Sequence, residues 1–165
     1  MSSEQYAAFQ ASEVRRPSDI PTATPLTWQA EKHAQHTSHL MDNHLPADFP
    51  YAVKRGDAGD ALAVLALRES IRRDMEYGRG TRVHEALLLG ATWTEIAAAL
   101  DISTAEARQG LRKWADGQRS LFLSTAAEET KTTLGLDTTG YRAVCTLTNL
   151  ADDETAPGAE TEQPS

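Results

Sequence analysis

Hydrophobic side chains recur at helical spacing through the middle of the chain. Residues 57–76 interleave charged side chains with five large apolar ones, as an amphipathic helix does; these are Leu62, Leu65, Leu67, Ile71 and Met75. Gly78-Arg79-Gly80 is predicted to end this helix. Thr81 then caps a second helix over residues 82–89, and Gly90 stops it.

Two helix-start signals follow, eleven residues apart. Glu95 stands three residues after Thr92, and Glu106 three residues after Ser103, which is the spacing of a capping box. The helix that begins after Thr92 has one apolar stripe, formed by Trp93, Ile96, Ala97 and Leu100. A second helix begins after Ser103 and reaches about residue 116, with continuation through residues 118–127.

The pattern of helix, three-residue turn and helix predicts a helix-turn-helix. Ile102 supplies the apolar anchor of the turn, and Ala97 is the small residue where the two helices cross. At about 100° per residue, the second helix divides into an apolar and a polar arc. The apolar arc holds Ala107, Leu111 and Trp114, and the polar arc holds Thr104, Ala105, Arg108, Gln109 and Arg112.

The polar arc suits the major groove of duplex DNA. Arg108 and Arg112 can pair in bidentate fashion with guanine, and Gln109 can do so with adenine. Lys113 and Arg119 lie off the centre of the arc and suit backbone phosphates. The predicted DNA-binding residues are therefore Ser103 as the helix cap, Thr104, Arg108, Gln109, Arg112, Lys113 and Arg119.

The stretch Ala91-Thr92-Trp93-Thr94-Glu95-Ile96-Ala97-Ala98-Ala99-Leu100-Asp101-Ile102-Ser103-Thr104-Ala105-Glu106-Ala107-Arg108 resembles helix-turn-helix segments of small actinobacterial DNA-binding proteins. It is also similar to the C-terminal DNA-reading region of sigma factors. The resemblance implies a three- or four-helix DNA-binding fold and a regulatory role. The chain departs from the usual pattern twice, with Asp101 where Gly is common and Ala107 where Ile or Val is common.

The flanks differ from the centre in composition. Five prolines interrupt residues 1–53, and acidic residues dominate the end of the chain. We expect an all-α fold, a small helix-turn-helix bundle with a disordered N-terminal arm and an acidic C-terminal tail. The predicted divisions are a flexible arm over 1–53, the helix-turn-helix domain over 54–127, a packing or dimerisation helix within 128–150, and a disordered tail over 151–165.

The distribution of charge along the chain affects how tightly one copy could bind DNA. The net charge is -8, yet residues 54–119 carry eleven basic and ten acidic residues, a net +1. Because phosphate neutralisation supplies most nonspecific affinity, a monomer with this charge would bind DNA weakly. We therefore predict a homodimer through the segment after Trp114, which contains Leu121, Phe122 and Leu123, with double-stranded DNA as partner and RNA polymerase as a further candidate.

Other chemistry finds little support. One cysteine, Cys145, allows neither an intrachain disulfide nor a zinc site built on thiolates. No catalytic motif, cofactor motif, membrane span or secretory signal is recognisable, which favours a non-enzymatic cytoplasmic protein. His33 and His36 could share a helix face and bind a metal, but solvated histidines in a polar arm are the preferred interpretation, so no metal site is predicted.

Two alternatives to DNA binding stay open. Capped helices joined by a short turn also occur in ordinary helical bundles, and a helix-turn-helix can serve protein contact. The competing hypothesis is therefore an interaction module or adaptor without direct DNA readout. Sequence-specific DNA binding by a transcriptional regulator of a bacterial, plasmid or phage operon is the preferred prediction.

Overall fold

A computed structural model describes residues 2–127 and 132–158, and over these ranges every regular element is helical. The α-helices are α1 (Ser3–Ala11), α2 (Leu26–Asp42), α3 (Ala58–Leu88), α4 (Trp93–Leu100), α5 (Thr104–Ala126) and α6 (Thr138–Leu147), with a 3-10 turn at Pro17–Asp19. The expected all-α class is confirmed. Two compact units divide between Tyr77 and Gly78, so α3 contributes to both.

The unit boundary differs from the predicted one. A helix-turn-helix domain was expected to begin at residue 54, but residues 58–77 of α3 group with the N-terminal helices. Helix α3 also continues through Gly78-Arg79-Gly80, where a break was predicted. A mid-helix glycine costs only about 1 kcal/mol, and Gly80 has a packing reason: a Cβ there would overlap the side chain of Trp114. The predicted stop is found at Gly90, which has a φ of 94°.

The N-terminal unit has its own small core, where the sequence predicts a flexible arm. Buried side chains from α1, the segment after it and α3 form this core; they are Phe9, Val14, Ala66 and Leu67. Lys32 is 1% exposed, and its Nζ donates to the carbonyl oxygens of Phe9 at 2.6 Å, Gln10 at 3.0 Å and Ser12 at 2.5 Å. These carbonyls lie in the last turn of α1 and at its C-cap, where the helix supplies few donors, so a buried cation closes that helix.

Two of the five prolines in residues 1–53 lie at helix starts and the other three lie between helices, so none interrupts a helix. Pro17 is the first residue of the 3-10 turn, and Pro25 is the N-cap of α2. Proline is tolerated at such positions because its missing N–H would have no helical partner there. The number of prolines therefore predicted more disorder than their positions cause.

The C-terminal unit packs α4, α5 and α6 around one core. Its buried members are Val83, Leu87, Trp93, Ile96, Ala107, Leu111, Ala115, Val144, Leu147, Leu150 and Ala156. Helix α5 extends to Ala126, and α6 packs against it. Ala156 is 5% exposed, so residues 151–156 belong to the fold where a disordered tail was predicted; residues 159–165 lie outside the described part. Among the described residues, no helix has the length and apolar character to cross a membrane.

Candidate nucleic-acid interface

Helices α4 and α5 are held in a fixed geometry by capping and by the turn between them. Both predicted capping boxes form, with Thr92 and Glu95 at α4 and with Ser103 and Glu106 at α5. Asp101 ends α4 in the left-handed region, with a φ of 53°, a conformation that Asp tolerates better than most residues. The resulting pair presents α5 with one buried and one outward face.

The turn and Trp93 attach this pair to the rest of the unit. The N–H of Ile102 donates to the carbonyl of Ala97 at 3.1 Å, which closes the turn. Trp93 is fully buried, and its Nε1–H donates to the carbonyl of Leu147 at 3.0 Å. Because Leu147 is the last residue of α6, this bond fixes where α6 and the chain after it lie against α4.

The outward face of α5 carries mixed charge. A shallow depression on it is lined by Glu106, Gln109, Gly110, Arg112, Lys113 and Asp116. Of the predicted DNA-binding residues, Gln109, Arg112 and Lys113 are exposed here. Ser103 acts as the predicted cap: its Oγ accepts the N–H of Glu106 at 3.2 Å, and its hydroxyl donates to the Glu106 carboxylate at 2.7 Å. These bonds lower the pKa of Glu106, which stays ionised.

Arg108 and Thr104 contact residues 151–154, an Ala-Asp-Asp-Glu run called here the acidic segment. The Arg108 guanidinium pairs with Asp152 at 2.6 Å and donates to the carbonyl of Leu150 at 2.8 Å. The Thr104 hydroxyl donates to the other Asp152 oxygen at 3.2 Å. The hydrogen bond from Arg108 is the main reason that the pKa of Asp152 lies below its ordinary value. One carboxylate therefore joins two of the predicted base-facing side chains.

The acidic segment also covers the first turn of α4. The backbone N–H of Thr94 donates to the carbonyl of Asp152 at 3.0 Å, and the Thr94 hydroxyl donates to the Asp153 carboxylate at 2.8 Å. Helix N-termini favour negative charge because their first N–H groups lack helical partners. The Arg108 guanidinium and the hydroxyls of Thr94 and Thr104 thus contact carboxylates of the same chain, and the N–H of Thr94 binds a backbone carbonyl; these groups at the starts of α4 and α5 are here called the anion surface.

Two further predicted arginines are engaged by the chain around α6. The Arg112 guanidinium donates to the Thr148 hydroxyl at 3.0 Å and to the Asn149 side-chain oxygen at 3.2 Å. The Arg119 guanidinium, which was predicted to contact a backbone phosphate, donates to the Thr138 hydroxyl at 2.8 Å. The sequence did not indicate that Asp152 and Asn149 contact α5 or that Asp153 contacts α4; the run of acids after the last apolar stripe was the available signal.

The N-terminal unit holds a separate cluster of candidate metal ligands. His36 and His39 of α2 each place Nδ1 against the same oxygen of Asp60, at 2.7 and 2.9 Å. These two bonds hold the pKa of Asp60 well below its usual range. The histidine pair considered from the sequence was His33 with His36; the structure instead joins His36 with His39. Asp60 is distant in sequence, and no local pattern indicates it.

Comparison with known proteins finds no protein-family model, curated protein or solved structure that matches the chain.

Proposed function

We propose that the C-terminal unit is a helix-turn-helix that binds duplex DNA through α5 and regulates transcription in the cytoplasm of a bacterium, or controls a plasmid or phage function. The anion surface is the observation that supports this proposal. Its guanidinium group, hydroxyls and helix N-terminal N–H groups are the donors that proteins use for DNA phosphates. Asp152 stands where such a phosphate would bind.

The roles of the individual side chains follow from their exposure. Gln109 and Lys113 are already exposed and can reach a base edge and a phosphate, respectively. Arg112 is also exposed but is hydrogen-bonded to Thr148 and Asn149, and the half-buried Arg108 is bonded to Leu150 and Asp152, so both arginines must first leave these partners. The Arg108–Asp152 pair is partly open to solvent, because the Asp152 side chain is half exposed, and solvent weakens the attraction between the two charges.

The acidic segment is accordingly a competitor of DNA. Residues 78–165 carry eight basic and thirteen acidic residues, a net -5, so the unit as a whole repels a polyanion. Leu150 and Ala156 lie buried on either side of the segment. Exposing the anion surface therefore requires rotation of side chains and movement of the turn between Leu150 and Ala156, while these two side chains stay buried in the core.

Selection of bound sequences from a random duplex pool, with the full-length protein, tests the proposal. On a selected duplex, Arg108→Ala or Arg112→Ala should cost roughly 1–3 kcal/mol and relax one or two base positions, whereas Lys113→Ala should weaken all sequences alike. Unchanged binding by both arginine variants would exclude this face as the reader.

A charge variant tests the competition directly. Asp152→Ala should raise affinity for an unrelated duplex about two- to tenfold at low salt and less at high salt. Glu85→Ala is the matched control, because Glu85 also pairs with an arginine, Arg82, on an exposed helix surface of the same unit. Equal gains in both variants would show that only net charge matters.

A protein-interaction module or adaptor, for instance a partner of RNA polymerase, is the second candidate function. One observation favours it: the face of α5 already holds a peptide segment of its own chain, and its exposed residues mix both signs of charge. The dependence of binding affinity on salt concentration distinguishes the two functions. DNA binding should weaken steeply, with a slope of about -0.9 per phosphate contact, whereas a mainly apolar protein contact should not.

A homodimer would supply the phosphate contacts that one unit lacks. Leu123 is 56% exposed, while Leu121 and Phe122 are partly buried. We propose contact through this part of α5, with half-sites about one helical turn apart. Sedimentation of the full chain should show a dimer at micromolar concentration that Leu123→Glu dissociates. A monomer both free and on DNA would contradict this.

A further inference from the structure

Two elements of the N-terminal unit bring three metal-ligating side chains together. His36 and His39 lie one turn apart on α2, and Asp60 lies in the first turn of α3. One ligand atom from each lies within 4.8 Å of the other two. The side chains are 19%, 12% and 9% exposed, respectively, so the cluster is mostly shielded but open to solvent on one side.

We propose that His36, His39 and Asp60 bind a divalent transition-metal ion, with zinc as the best-fitting ion. Two imidazole nitrogens and one carboxylate oxygen are a ligand set that zinc accepts, and three protein ligands leave one position for water. The set is less suited to Ca²⁺ or Mg²⁺, which prefer oxygen ligands throughout. Partial exposure of the cluster supplies an entry path for the ion.

The surrounding backbone positions the carboxylate before any ion arrives. The second oxygen of Asp60 accepts the N–H of Asp57 at 3.1 Å, and Asp57 in turn accepts the N–H of Asp60 at 3.0 Å. The N–H of Gly56 donates to the carbonyl of His39 at 2.7 Å. A Cβ on Gly56 would lie 2.8 Å from the backbone nitrogen of Leu40, so glycine is needed for this close approach. Outer contacts of this kind orient the ligands of metal sites.

Metal binding would replace the two hydrogen bonds from the histidines to Asp60. An ionised carboxylate only accepts, so each Nδ1 carries the proton in the metal-free form. On metal binding each ring releases its Nδ1 proton to solvent, carries a proton on Nε2, and offers the freed Nδ1 lone pair to the ion. The ion would then link α2 to the start of α3 and stabilise the N-terminal unit.

The test uses the full chain, free of any polyhistidine tag and stripped with a chelator. Titration with Co²⁺ should give visible absorption from one bound ion per chain, and calorimetry with Zn²⁺ should give one equivalent. His36→Gln and His39→Gln should each weaken binding at least about tenfold, since even outer-shell changes cost 10–100-fold. His44→Gln, an exposed histidine just beyond α2, is the matched control and should leave binding unchanged.

Thermal unfolding supplies a second measurement. Excess Zn²⁺ should raise the Tm of the wild-type chain and of His44→Gln, because a ligand that binds only the folded state stabilises it. Absence of saturable Zn²⁺ or Co²⁺ binding in the wild-type chain would overturn the proposal, whatever the variants do. Wild-type affinity in both His36→Gln and His39→Gln would also overturn the proposal, as would a loss of binding seen only in His33→Gln.

Discussion

Two glycines two positions apart in α3 should respond in opposite directions to the same substitution. Gly78→Ala adds a methyl group that meets no atom within 4 Å, whereas Gly80→Ala adds one that overlaps Cβ and Cγ of Trp114. Alanine is favoured over glycine inside a helix by about 1 kcal/mol. Gly78→Ala should therefore stabilise the unit by roughly 0.5–1 kcal/mol.

The overlap at Gly80 cannot be relieved by a side-chain rotation. Cβ and Cγ are the root of the Trp114 side chain, so the backbones of α3 and α5 must separate locally. Overpacking of this kind typically costs 1–3 kcal/mol. Because the propensity gain is common to both variants, their difference isolates the packing cost, and Gly80→Ala should unfold at least about 1 kcal/mol more easily than Gly78→Ala.

Urea unfolding followed by tryptophan fluorescence measures this difference. A Trp28→Phe background restricts the signal to Trp93 and Trp114, both in the C-terminal unit. For a unit of this size, each kcal/mol should also move the Tm by about 4–8 °C. Two results would refute the reasoning: destabilisation by Gly78→Ala, which would indicate a helix break there, or equal stability of the two variants.

The remaining predictions concern the core and the acidic segment. Trp93→Phe should lower the free energy of unfolding by roughly 1–3 kcal/mol in the same assay, since it opens a void and leaves the carbonyl of Leu147 with only the longer bond from the N–H of Leu150 at 3.3 Å; a loss under about 0.5 kcal/mol would show that the Trp93 bond does not matter. The Arg108 contact lowers the pKa of Asp152, so the stabilisation it gives is present above the ordinary pKa and is lost only as the pH falls below it. The gain in DNA affinity from Asp152→Ala should thus be the same at pH 6 and pH 8, and a gain that changes between them would point to another titrating group.

The features that the sequence predicted correctly depend on contacts between near neighbours. The boxes at Thr92 and Ser103 join residues three apart, and the left-handed Asp101 and the stop at Gly90 are likewise local. Helix-forming stripes and caps need no knowledge of the rest of the fold, because their hydrogen bonds close within one turn. The all-α class and the α4–α5 pair therefore follow from the sequence.

The features that differ from prediction depend on partners far along the chain. Arg108 meets the carbonyl of Leu150 across 42 residues, and His36 meets Asp60 across 24. No sequence pattern singles out Lys32, which is buried against the end of α1, 20 or more residues away. Gly80 reads as a helix breaker, yet the approach of Trp114 requires it.

The sequence by itself determined the all-α class, the helices α4 and α5, and which side chains line the polar arc of α5. Only the tertiary structure decided what that arc touches: α6 carries residues 148–153 back across it, so the predicted DNA-binding arginines contact the chain's own polar and acidic groups. The physical reason is that the helical period of 3.6 residues decides which side chains share a face. The segment that lies against that face is decided by the long-range packing of Trp93 and Leu150, which no local pattern encodes.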